Sequence, residues 1–277
     1  MSSDVENSRV VTETVRVVTE LAKVVPIYPD AIQPAAKEVG KSLHLVARAV
    51  NAALTPVEAL VWGIEQIRDF VRERVSKKLE GVPPDDVQQP KAYIAVPAIE
   101  ALRYIGKESD LSELYANLLA TSMDKVTAYR AHPAFVEIIK NMSPDDARIM
   151  RFLETNTSQP LINIKAREKG GVGFSIIHRH ISLIGLKAGC DHPELSANYL
   201  DNLERLGLVE ISGFKRKKDD AFYKEIEEYD QVAEILENLR KFQTHTIETE
   251  KIMLELTALG KQFVRSCVID KSIQDRS

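Results

Sequence analysis

Residues 202–211 read Asn202-Leu203-Glu204-Arg205-Leu206-Gly207-Leu208-Val209-Glu210-Ile211, and residues 254–263 read Leu254-Glu255-Leu256-Thr257-Ala258-Leu259-Gly260-Lys261-Gln262-Phe263. In the first stretch Leu203 and Leu206 close the apolar face of a helix opened by Pro193, with Leu195, Tyr199 and Leu200 on the same face. Gly207 lets the chain reverse tightly. Leu208 to Ile211 then reads as a strand. Upstream of the second stretch Ile252 alternates with Leu254 and Leu256, which is a strand pattern. Thr257 suits a helix cap, and Leu259, Phe263 and Cys267 face inward from the helix that follows. About 40 residues separate the two strands.

Outward from this point, the chain before residue 143 reads as helical. Val5 to Val25 is a helical candidate ended by Pro26, Pro29 and Pro34. Leu43, Val46, Ala47, Val50 and Leu54 form one helical stripe, and Thr55-Pro56-Val57-Glu58 opens a second helix. Its inward side carries Val57, Leu60, Val61, Ile64, Val71 and Val75, and its far side carries Arg68, Arg72, Glu73, Arg74, Lys77 and Lys78, whose cations are candidates for binding a partner or nucleic acid. The pair reads as an antiparallel hairpin. Further helices are expected around Leu102, around Leu114 to Leu119 after the cap Asp110, after His132-Pro133, and after Ser143-Pro144. After Ser158 the pattern becomes mixed: Leu161, Ile162 and Ile164 suggest a strand, and Ser175 to Ile184 is β-rich. Residues 212–246 are highly charged, with one helix carrying Val232, Ile235, Leu236 and Leu239. The expected division is an N-terminal helix and Pro-rich linker over 1–34, an all-helical domain over 35–142, and a mixed domain over 143–272 with the charged insert 212–246.

The chain has 277 residues, 44% hydrophobic and 28% charged, with a net charge of −4. This composition suits a globular protein and not a strongly basic nucleic-acid binder. Two cysteines speak against a disulfide scaffold and suit a reducing cytosol, so a cytoplasmic location is expected. The first twenty residues mix charges with valines and lack the apolar stretch of a secretory signal.

Four candidate chemistries follow. His178, His180, Cys190 and His192 fall close together and could supply zinc ligands. Their one-residue spacing misses the usual two to four, so surface strand residues and a helix-start histidine are the favoured reading, and no cofactor is expected. The run Lys215-Arg216-Lys217-Lys218, with Arg205, could touch phosphates. Asp219 and Asp220 follow at once, and the helix before it carries Glu194, Asp201 and Glu204, which weighs against DNA. Trp62 and Phe70 beside the N-terminal stripe could contact a membrane. A stripe that wide is more often core. Gly170-Gly171-Val172-Gly173 lacks the Lys-Ser/Thr of a phosphate loop. No motif for hydrolysis, phosphoryl transfer or redox chemistry is present, so an enzyme is not expected.

Two resemblances add to this reading. The two opening stretches resemble a winged-helix signature, in which a helix enters the first wing strand through an LGL turn and the second wing strand leads into LT-x-LG and a last helix; the resemblance implies that the two strands pair, with an inserted helix in the roughly 40 residues between them. Over roughly residues 35–270 the chain resembles the abortive infection alpha family of bacterial phage-exclusion proteins. The residues that carry this are Ala59-Leu60-Val61-Trp62-Gly63-Ile64-Glu65, Asn117-Leu118-Leu119-Ala120 with Met123-Asp124, Ala131-His132-Pro133-Ala134-Phe135-Val136-Glu137-Ile138-Ile139, Ser143-Pro144-Asp145-Asp146-Ala147, Asp201 to Ile211 and Leu256 to Phe263. The resemblance implies a role in abortive infection and assigns no catalytic residue.

The expected fold class is therefore mainly α: an N-terminal helical bundle followed by a winged-helix-like α+β domain with a helical insert. The expected function is phage defence by a non-catalytic sensor, adaptor or effector with a phage or host protein as trigger, and self-association is an open partner. A winged-helix DNA-binding regulator and a membrane-active toxin are the alternatives. Nucleic acid and membrane are the less favoured partners.

Overall fold

The computed structural model describes residues 73–105, 110–241 and 244–273. The N-terminal candidate helix, the hairpin around Thr55, and Trp62, Phe70, Arg68 and Arg72 lie outside the described residues. Residues 73–78 are helical. They are followed by α1 (Ala92–Ile105), α2 (Asp110–Met123), α3 (Ala134–Lys140) and α4 (Pro144–Thr155). Next come β1 (Ser158–Glu168), β2 (Ser175–Ile181), a short α5 (Ile184–Lys187), α6 (Ser196–Arg205) and β3 (Val209–Ser212). The insert holds α7 (Ala221–Glu227) and α8 (Asp230–Arg240), after which come β4 (His245–Leu256), α9 (Ala258–Phe263) and a π-helical turn over Val264–Val268.

The four strands form one antiparallel sheet in the order β2-β1-β4-β3. β3 pairs with the end of β4, Val209 opposite Leu256 and Ser212 opposite Met253. The rest of β4 runs along all of β1, from Ser158 opposite Glu255 to Glu168 opposite His245.

This corrects the expected class. The described residues make an α+β fold with a four-stranded antiparallel sheet, not the expected mainly α chain of a helical bundle followed by a winged-helix-like domain. The physical reason lies in β1. Leu161, Ile162, Asn163 and Ile164 are all buried in succession. Leu161 joins the main core with Ile252, Leu254 and Leu256. Ile162 and Ile164 face the other way, into a second cluster with Tyr223 and Ile226 of α7 and Val232 and Leu236 of α8. The insert thus roofs the second face of the sheet. A strand buried on both faces loses the alternation that announces a sheet.

The main core is continuous from Val75 to Val268 and includes the buried faces of α1 to α4 as well as the first face of the sheet. Phe135 of α3 meets Phe263 of α9 edge to face with ring centroids 5.3 Å apart.

Candidate functional site

The start of α4 is the densest polar site. Ser143 caps the helix: its hydroxyl accepts from the Asp146 amide, and the Asp146 carboxylate accepts from the Ser143 amide at 2.7 Å. Asp145, buried beside it, accepts from the backbone amides of Asp191 and His192 at 2.9 and 3.1 Å and from the Tyr199 hydroxyl at 3.0 Å. Arg148, one turn on, reaches Asp145, Asp110 of α2 and Asp191. One helix start therefore ties α2, α4, α6 and the loop after α5 together.

The two adjacent carboxyls respond oppositely. Burial pushes Asp145 up, but the two backbone amides, Tyr199 and Arg148 outweigh it and hold the group below the ordinary aspartate value. Burial dominates at Asp146, whose pKa is raised despite bonds from Ser143 and Asn202. The second oxygen of Asp146 is buried without a hydrogen-bond partner.

A second polar cluster joins α2 to the C-terminal turn. The Asn117 amide donates to the carbonyls of Cys267 and Val268, and the Thr121 hydroxyl to that of Ser266. These bonds take up carbonyls of the π turn, where the normal helical ladder is interrupted. Lys271 and Asp124 then form an ion pair at 2.9 Å, both almost fully buried and out of hydrogen-bonding alignment. Lys78 is buried as well, between Glu113 and Asp270 at 3.0 and 2.8 Å. Burial alone would raise the Asp270 carboxyl, but Lys78 and Ser272 bring it down to about 2.

The candidate residues are dispersed. His180 is buried on β2 with φ 53°, its amide donating to the Asn163 side chain and its ring 2.7 Å from Asp201. His178 sits half-buried on the same strand. Cys190 and His192 lie in the loop against Asp145. No group of three His, Cys, Asp or Glu among the described residues could hold a metal ion. Burial, and next the charge of Asp145, pushes the Cys190 thiol up to about 11. Among the basic candidates, Lys78 is turned inward and not outward as expected. Arg74 pairs with Glu113, Arg205 donates to Asn202, and Lys77 is exposed.

The run 215–218 divides. Lys215 pairs with Glu255 at 2.7 Å, and Arg216 and Lys218 point to solvent. Lys217 is half-buried, with its ammonium 2.6 Å from the Ser158 hydroxyl. It lines a cleft of about 390 Å³ between the α4–β1 junction and the insert. Phe152, Asn156, Gln159, Lys187 and Phe222 line the cleft too. Sequence reading missed Phe152, Asn156 and Phe222, which show only once α4 and the insert face each other. It took Asp145 as a helix-start residue alone.

The family model described as abortive infection alpha matches residues 63–267. The chain belongs to the abortive infection alpha family. No curated protein matches it. Among solved structures, an uncharacterized protein from the hydrocarbon-degrading marine bacterium Alcanivorax borkumensis SK2 is 18% identical, with 49% of this chain and 92% of that chain covered and a TM-score of 0.36.

The motif residues of this abortive infection alpha protein carry structure. Asn117 and Asp124 hold the C-terminal turn, and Ser143 to Asp146 build the α4 hub. His132 begins α3, its ring nitrogen accepting from the Ala134 amide at 3.1 Å. Gly207 has φ 73°, a conformation that favours glycine. At Gly260 a Cβ would stand 1.9 Å from the Leu208 carbonyl oxygen, so only glycine lets α9 pass the turn that leads into β3. Thr257 links the two, donating to the Gly207 carbonyl at 2.6 Å and accepting from the Gly260 amide. No described helix is long and apolar enough to cross a membrane.

Proposed function

We propose that this protein serves phage defence as a non-catalytic sensor, adaptor or effector that works through protein–protein contacts. The family match over residues 63–267 is the observation that carries this reading. The site chemistry supports the non-catalytic part. Asp145 and Arg148 are engaged in holding elements together, and the Cys190 thiol lies too high to supply a thiolate at neutral pH. The insert is the contact surface we favour. Phe214 is fully exposed there beside the exposed Arg216 and Lys218, and aromatic and arginine side chains are common anchors of protein interfaces.

The test is phage challenge of bacteria carrying the gene in its native neighbourhood, at low and high multiplicity. The expected result is a protected culture at low multiplicity and collapse at high multiplicity. Unchanged plaque counts across a broad phage panel would overturn the proposal.

A further inference from the structure

We infer that the cleft between the α4–β1 junction and the insert is a binding site for a nucleotide, a small anion bearing a flat ring. Its lining carries two cations, Lys187 and Lys217, and no carboxylate, in a chain whose net charge is −4. Lys187 reaches out to Glu225 at 2.8 Å. Among the described residues Lys217 has no carboxylate partner of the kind that three neighbouring lysines have. Lys215 is matched by Glu255, Lys251 by Asp220 and Lys165 by Glu250. The ammonium of Lys217 has Ser158 as its hydrogen-bond partner and the Phe222 ring 5.8 Å away. A half-buried ammonium has three donors, and one hydroxyl uses one of them. A phosphate placed in the cleft would match the charge and the remaining donors.

Lys217 is also held in place. Its backbone amide donates to the Tyr223 hydroxyl at 2.8 Å, and that fully buried hydroxyl donates in turn to the Ile252 carbonyl of β4. The loop that carries Lys217 is therefore tied to the sheet through Tyr223. The C-terminal end of α4, which would repel an anion, is partly neutralised. Asn156 donates its amide to the Phe152 carbonyl, and Gln159 donates to that of Asn156.

The ring requirement comes from Phe152 and Phe222. Phe222 is 46% exposed, which leaves much of its surface uncovered at the cleft. Stacking on such a ring is open to any base. Thr155, Ser158 and Gln159 add hydroxyl and amide groups suited to a ribose. The volume lies within the range of about 300–1,000 Å³ usual for small-molecule sites.

The experiment is titration of the full chain with AMP, GMP, CMP and UMP, with adenosine and with inorganic phosphate, read by saturation-transfer NMR and calorimetry. At least one nucleotide should bind saturably, and about tenfold more tightly than adenosine or phosphate. Lys217→Gln should weaken binding by about tenfold to a hundredfold, the worth of a charge-assisted bond. Phe222→Ala should weaken it several-fold, and Lys140→Gln on α3, outside the cleft lining, should leave it unchanged. If Lys217→Gln does not fold, Lys187→Gln is expected to show a loss of the same sign. Absence of nucleotide binding, equal binding of phosphate and nucleotide, or undiminished binding by the folded lysine variants would overturn the inference. The readout is independent of phage protection.

Discussion

The helical side of the molecule and the insert side treat their polar groups in opposite ways. Around α2 and the start of α4, carboxylates, amides and ammonium groups turn inward and bind one another or the backbone. Around the insert, Lys217 and the groups at the α4–β1 junction face a cleft, and Phe214, Arg216 and Lys218 face solvent. The difference teaches where each kind of residue acts. Asn117, Asp124 and Asp145 hold the fold, while the charged stretch 212–246 carries the open surface.

The sharpest break in this comparison is expected at the Asp124–Lys271 pair. Removing one partner leaves a buried charge uncompensated, so Asp124→Ala should cost about 3–5 kcal/mol in chemical denaturation. The double replacement Asp124→Leu with Lys271→Met should cost clearly less than Asp124→Ala alone. Equal losses would mean that the pair is not buried as described. Gly260→Ala comes next, because its methyl would overlap the Leu208 carbonyl. A loss of about 1–3 kcal/mol is expected in the same assay.

The hub sharpens the comparison through pH. Asp145 has a depressed pKa in the fold, so its contribution is complete above the ordinary value of 3.8 and is lost as pH falls through its folded value. Asp146 has a raised pKa, so its ionisation opposes folding, and the cost disappears as pH falls toward 3.8. The stability gap between the natural protein and Asp145→Asn should therefore narrow below pH 3.8. The gap to Asp146→Asn should shift in the natural protein's favour on acidification from neutral pH. Parallel behaviour of the two variants would contradict the assignment. The smallest effect is expected at the insert face, where Arg216→Ala and Lys218→Ala should change stability by less than about 0.5 kcal/mol.

Much of the local structure was legible. Ser143 and Thr257 carry the chemistry of caps, and both cap as read. Leu208 to Ile211 and Ile252 to Leu256 read as strands and do pair. The extent of the sheet was not legible. Ile162 and Ile164 pack under the insert while Leu161 packs in the main core, so β1 reads as a short apolar run. The inward turn of Lys78 was hidden too, because its partner Asp270 lies 192 residues away. Lys217 looked like one member of a basic run. Its half-buried place in the cleft and the bond from its amide to Tyr223 single it out, and both depend on how the insert folds back.

The most direct test of the account compares phage protection by the natural protein with that of Phe214→Ser, Arg216→Glu and Lys218→Glu combined in one chain. The variant's fold is to be checked by thermal melting. The account predicts that the natural protein lowers plaque counts and that the folded, equally expressed variant loses at least tenfold of that protection. Equal protection by both proteins would contradict the insert as the working surface.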